Sequence, residues 1–250
     1  MRPSLTRFSL ARASPRLVAV ALLGTALGVY DAVAHKLPDV PLGAEVAILG
    51  GLIIPLTFAL PWLALPAWRS RYVLPVALVL AGLAVLLEVL DLDIAANYVK
   101  FAAVTGLGWF FLRFFEEVSW VVLVALLIIP IDVYSVARGP TKTILEDKPQ
   151  VFDQLSIAFP VPGEDISAQL GLPDVLFFAL FLAAALRFGL RVGATWVVCA
   201  LSFGATLAIA AYTDVAGLPA LPLLAGGFVL ANADLLWSHF RRWRVTQRDP

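Results

Sequence analysis

The sequence predicts an all-α membrane protein, a polytopic transmembrane helical bundle of about eight helices. Three observations predict it. Hydrophobic residues make up 61% of the 250 positions and charged residues only 14%, against about 45–50% and about 25% in a soluble domain. Mean hydropathy is +0.90. The apolar residues are also gathered into runs near the roughly 20 residues that a helix needs to cross a hydrocarbon core of about 30 Å. Such a composition excludes a disordered chain, which needs low hydrophobicity and high net charge. With no net formal charge, the chain lacks the basic footprint of a nucleic-acid binder, and no nucleic-acid partner is expected. The single cysteine, Cys199, leaves no internal disulfide and no multi-thiolate metal site.

Eight runs follow one another, each bounded by charges, Gly or Pro. The first, Leu17 to Ala34, comes after four arginines, and its Ala32-Val33-Ala34 has the small-x-small form of a signal-peptide cleavage site. Tyr30 and Asp31 sit awkwardly beside that site and favour an uncleaved first helix. Next come Ala44 to Leu65 and Tyr72 to Leu92. Phe101 to Phe115 and Val118 to Val136 are separated only by the stretch Arg113 to Glu117. After the longest connection, Ala137 to Leu170, come the short Leu172 to Leu186, then Val192 to Tyr212 and Leu218 to Trp237. No internal repeat is visible, which weighs against a repeat-built transporter.

Basic residues collect on cytoplasmic loops. With the N-terminus inside, that side receives Arg2, Arg7, Arg12, Arg16, Arg69, Arg71, Arg113, Arg187, Arg191, Arg241, Arg242, Arg244 and Arg248. Only Lys36, Lys100, Arg138, Lys142 and Lys148 fall on the other side. Both termini are therefore expected in the cytoplasm and the connection at 137–170 outside. The Arg-rich ends and the missing organelle address point to a prokaryotic cytoplasmic membrane.

An ionisable residue inside a bilayer is costly, by roughly 2.5–3.5 kcal/mol on insertion scales, and marks a functional site by default. Asp132 follows the apolar run Val121 to Ile131, and Asp174 opens the sixth run ahead of Val175-Leu176-Phe177-Phe178. The fifth run has about 6 Å left beyond Asp132, and the sixth reaches Asp174 within its first turn, so both stand at similar height near the outer face. Two close carboxylates cannot both ionise and share a proton; one can then activate water while the other polarises a carbonyl. The bland reading is that Asp174, directly after Pro173, caps a helix or reaches the interface. Interface positions also suit Asp31, Glu45, Asp91, Asp93 and Asp234, while Glu88, one turn from Asp91, is placed to line a polar cavity.

The surrounding residues carry a resemblance. Gly171-Leu172-Pro173-Asp174-Val175-Leu176-Phe177-Phe178 is similar to the Gly-x-Gly-Asp segment of the presenilin and signal peptide peptidase family of intramembrane aspartyl proteases. Two spans later, Leu218-Pro219-Ala220-Leu221-Pro222 resembles that family's Pro-Ala-Leu motif. Asp132-Val133-Tyr134-Ser135-Val136 resembles its first catalytic segment, and Arg138-Gly139-Pro140-Thr141-Lys142 the basic Gly-Pro stretch that follows. The order also matches, over about Val118 to Trp237. The resemblance implies a presenilin-like fold with N-terminal helices in 1–117 and catalytic helices in 118–250. It further implies Asp132 and Asp174 as the catalytic pair, and Gly171, Pro219, Ala220 and Leu221 at the substrate. Tyr134 would stand in for the tyrosine that Ile131 replaces. No cofactor or metal is implied, and the expected partners are the bilayer and a transmembrane or signal-peptide substrate. Substrate is added in that family as a β-strand, for which Leu155-Ser156-Ile157-Ala158-Phe159 is a candidate, ended by Pro160 and Pro162.

Pro173 departs from the pattern by replacing the second glycine, fixing φ and removing an N–H. A proline suits a first helical turn, so the departure bears on activity more than on fold. Two other readings stay open: a catalytically inactive relative acting as scaffold or chaperone, and a carboxylate-containing membrane carrier. The only histidines, His35 and His239, fall at opposite faces, and no His-Glu-x-x-His occurs, which excludes zinc and Ser-His proteolysis. Gly139-Pro140-Thr141-Lys142-Thr143 lacks the spacing of a phosphate loop, and Gly189, Gly193 and Gly204 read as helix-packing positions.

Overall fold

The apolar runs fold as helices, and the reasons are local. In the computed structural model, which describes residues 14–139, 149–213 and 218–246, helix α1 (Pro15–Val33) starts on Ser14, whose hydroxyl accepts the Leu17 N–H at 3.3 Å. Helices α2 (Leu42–Ile48) and α3 (Ile54–Ala64) are joined by a π-type turn over Leu49–Ile53. Then follow α4 (Val73–Val89), α5 (Asp93–Phe111) and α6 (Val118–Arg138). A short helix α7 (Pro149–Gln154) leads into a hairpin of β1 (Ser156–Pro160) and β2 (Ser167–Gly171). Helices α8 (Leu172–Arg187), α9 (Val192–Thr213), α10 (Leu221–Ala231) and α11 (Ala233–Thr246) complete the chain.

Among the described residues the chain is thus all-α apart from one hairpin, with several helices fit to cross a membrane. By length and composition these are Pro15–Lys36, Leu42–Arg69, Val118–Arg138 and Val192–Thr213, with α10 and α11 a fifth if the pair, bent by 67°, is one span. The eight expected spans are met only in part. Each run holds helix, but α4 is 17 residues long and α8 only 16. Helix α5 starts at Asp93, not Phe101, and takes Asn97 and Lys100 into its first turns. The eighth run breaks at Asn232, which donates to Thr195 Oγ1 and to the Phe228 carbonyl and accepts the Arg191 N–H.

Helix α8 is the centre of the bundle. Phe178 to Ala185 are each at most 1% exposed, because α5, α6, α9 and α10 pack around it; a helix apolar on all sides is one that others enclose. Phe178 meets Phe58 of α3 with ring centroids 4.4 Å apart, and Phe181 stacks on Phe228 of α10 at 4.6 Å. Close approach elsewhere rests on glycine. A Cβ on Gly50 would lie 3.0 Å from the Gly204 Cα, so the π-type turn and α9 touch backbone to backbone. Gly108, far along α5, meets the Leu176 carbonyl early in α8. The first turns of α8 are therefore packed directly against α5.

The two ends of the bundle differ in charge. At one end Arg113 donates to the Ser70 carbonyl, Arg187 to the Leu112 carbonyl, and Arg191 to Asp234. At the other, Lys100 pairs with Glu88 at 3.0 Å, and the tip of the hairpin packs on the loop after α1 through Gly163 N–H to the Ala34 carbonyl. Gly163 has φ +83, and a Cβ there would strike the Asp39 backbone, so this turn admits only glycine.

Candidate active site

Asp132 and Asp174 come from different helices and line one cavity of about 600 Å³, within the usual range of ligand pockets. Measured from the arginine-rich end, where α6 starts at Val118 and α8 ends at Arg187, the two stand about 21 Å and about 20 Å along their helices. The two distances along the helices are similar, and Asp132 lies within electrostatic reach of Asp174.

Each carboxylate meets a helix N-terminus. Asp132 Oδ2 accepts the Leu221 N–H at 3.1 Å, filling from α6 a capping role that Ala220, at the N-cap of α10, has no side-chain acceptor to fill. Asp174 is in the first turn of α8 and turns back toward the main chain of Gly171, the N-cap residue, the direction in which an acidic third residue reaches its cap. A Cβ on Gly171 would lie 3.2 Å from Asp174 Oδ2, so glycine leaves this carboxylate its place. Pro173 falls within the first turn of α8 and lines the cavity; its missing N–H is one that the helix would leave unbonded anyway.

Gly171, Pro219 and Ala220 line the same cavity, and Leu221 reaches it through its N–H. Tyr134 is not brought there. It is 65% exposed, because two residues along a helix turn it about 200° away from Asp132. The stretch 140–148, with most of the basic Gly-Pro segment, lies outside the described residues. Glu88 pairs with Lys100 instead of lining the cavity.

The hairpin forms the cavity's remaining wall, with all of β2 along it. The candidate strand is present, shifted by one residue to Ser156–Pro160. It pairs antiparallel with β2, Ala158 opposite Gln169. The outer edge of β1 is filled by a side chain that the sequence reading missed. Asn97 of α5 donates to the Ala158 carbonyl at 2.9 Å and accepts its N–H at 3.0 Å, as a neighbouring strand would. Tyr30 adds a hydrogen bond to the Pro160 carbonyl.

That clamp determines which edge is free. Facing residues of an antiparallel pair either exchange both hydrogen bonds or both turn outward. Ala158 turns outward to Asn97, so Gln169 turns its N–H and C=O to the opposite edge of β2, with Ser167 and Gly171 in phase. Among the described residues no strand pairs with that edge. Also among the described residues, no three His, Cys, Asp or Glu side chains cluster to hold a metal ion. Compared with protein-family models and with curated proteins, the chain matches none.

Proposed function

We propose that the protein is an intramembrane aspartyl protease that cleaves transmembrane or signal-anchor helices with Asp132 and Asp174, on a presenilin-like eight-span fold. The observation that carries this reading is the meeting, around one cavity, of two carboxylates from different helices, the Pro219-Ala220-Leu221 segment and a free strand edge.

A peptide bond within a helix is shielded by its own hydrogen bonds, and in lipid every freed backbone group needs a new partner. The outward N–H and C=O groups of Ser167 and Gln169 supply them: unwound substrate adds to β2 as a third strand. Extended along β2, it is led toward Gly171 and so to Asp174. The dyad holds one proton. One carboxylate takes a proton from the attacking water while the other gives its proton to the carbonyl oxygen, forming a gem-diol; as the C–N bond breaks, the amine leaves with the proton held by the first and a diol hydroxyl returns one to the second, which restores the single shared proton.

The loop contacts support alternate crossings. Ser70 with Arg113, Leu112 with Arg187, and Arg191 with Asp234 join connections assigned to the cytoplasm. Lys100 with the Asp153 carbonyl, and Gly163 with Ala34, join connections assigned outside. With both termini cytoplasmic, the substrate is a span whose N-terminus is cytoplasmic, such as a signal anchor or signal-peptide remnant. A second reading has its own observation: both carboxylates serve helix N-termini, which suffices for an inactive scaffold. Purified protein in liposomes with a signal-anchor reporter separates the two. Cleavage abolished by Asp174→Ala supports the dyad; cleavage that persists in that variant, or none by the unaltered protein across a panel of anchors, favours the second.

A further inference from the structure

A second cavity, of about 470 Å³, lies away from the dyad between α1, α3, α4 and α5. We propose that it binds one acyl chain of an anionic phospholipid of the cytoplasmic leaflet, with Arg69, Arg71 and Arg113 at its mouth taking the phosphate. This does not depend on the protease reading.

The wall is apolar, formed by residues such as Val20, Leu60, Val76, Leu80 and Phe101. Along α5 it extends from Tyr98 to Trp109, about 16 Å of helix, and half of a hydrocarbon core is about 15 Å. The length suits one leaflet, and Ser70 and Tyr72 at the arginine-rich end identify which. Arg69, Arg71 and Arg113 are exposed there, and among the described residues none has a carboxylate in ion-pair range. Arg113 bonds the Ser70 carbonyl and Arg71 the Tyr72 hydroxyl, while Arg69 lies over the Trp68 ring. Three unneutralised guanidinium groups above an apolar slot complement a phosphate above a chain.

A second feature is independent of charge. Thr105 and Trp109 line the cavity at 5% and 6% exposed, and among the described residues the Thr105 hydroxyl and Trp109 indole N–H have no hydrogen-bond partner. Buried donors without partners are uncommon and call for an acceptor.

Native mass spectrometry of the full chain, delipidated and then offered phosphatidylglycerol and phosphatidylcholine with identical chains, tests this. The expected result is one retained phosphatidylglycerol, favoured at least tenfold. Nothing lies within 4 Å of a Cβ built on Gly24, so Gly24→Phe fills the cavity from open space and should abolish retention, while Gly24→Ala keeps it. Arg69→Gln with Arg71→Gln, both at exposed positions, should bring the preference near unity. Equal retention of the two lipids by the unaltered protein overturns the proposal. So does tight retention in Gly24→Phe, which would place the lipid elsewhere on the surface.

Discussion

Replacing Asp132 by asparagine separates the two jobs of its carboxylate. One is structural, to accept the Leu221 N–H at 3.1 Å and cap α10. An amide oxygen does this too, so Asp132→Asn should lose under about 1 kcal/mol. Asp132→Ala removes the acceptor and leaves Leu221 N–H unpaired beside Ala220, which is buried; the cost is about 1–2 kcal/mol, or a Tm lower by about 2–8 °C for a chain of this length. The other, on the proposed reading, is chemical, and asparagine cannot do it. Loss of a general acid or base costs about 10²–10⁴-fold in rate, or about 3–5.5 kcal/mol of barrier. Reporter cleavage in liposomes, read beside thermal unfolding of the same preparations, should show both variants equally inactive and only Asp132→Ala destabilised. Asp132→Asn cleaving within threefold of the unaltered protein would refute the reasoning.

Asn97→Ala removes two hydrogen bonds from Ala158 and should cost about 1–3 kcal/mol, with faster amide exchange at Ala158; unchanged exchange would mean that the clamp is not what holds β1. Gly171 has φ −61 and ψ 146, which alanine adopts freely, so Gly171→Ala acts only by its Cβ 3.2 Å from Asp174 Oδ2; cleavage should fall about tenfold with Tm unchanged, and full activity would show that the carboxylate has room to spare. Gly204→Val drives side-chain atoms into the Gly50 backbone and should cost at least about 2 kcal/mol, read as a lower Tm; a stable variant would mean that α9 can move away. A cysteine at exposed Asp165, with Cys199 replaced by alanine, should react with an impermeant maleimide from outside intact cells; labelling only after lysis would reverse the proposed orientation.

The apolar runs made the helices legible, because a bilayer-length stretch without charge has few other solutions. Tertiary choices were less visible. Ser167-Ala168-Gln169-Leu170-Gly171 has no β-branched residue, so nothing local marks it as a strand; it becomes one because Asn97 holds its partner. Asn97 is itself a polar residue on a largely apolar helix, and an amide so placed is a signal of a tertiary hydrogen bond. The break at Asn232 arises from bonds to Arg191 and Thr195, both distant in sequence. At the site, Asp132 and Asp174 stood out by cost alone, and Gly171, Pro219, Ala220 and Leu221 by resemblance. Tyr134 lies outside the cavity because a likeness of short segments does not carry helical phase, and phase decides which side chains share a cavity.

The cost of two acids inside the bundle has a physical answer in the helix termini around them. Helix α10 starts at Leu221, against Asp132, and α8 starts at Leu172, beneath Asp174. Each helix N-terminus carries the equivalent of about half a positive elementary charge. Two of them around one cavity therefore balance about one negative charge. A dyad that shares a single proton carries that charge, whereas two ionised carboxylates exceed it and two protonated ones leave it unmet. Short α8, starting at the end of β2, and α10, starting at the Pro-Ala-Leu segment, are for this reason more than supports. If the balance holds the acids in place, then moving one N-terminus away should disturb both. Inserting one alanine between Gly171 and Leu172 rotates the start of α8 by about 100°. It should abolish cleavage and also lower Tm by more than Asp174→Ala does, because the cavity then keeps Asp132 against one helix terminus alone. A Tm unaffected by the insertion would show that the termini and the acids share the cavity without depending on each other.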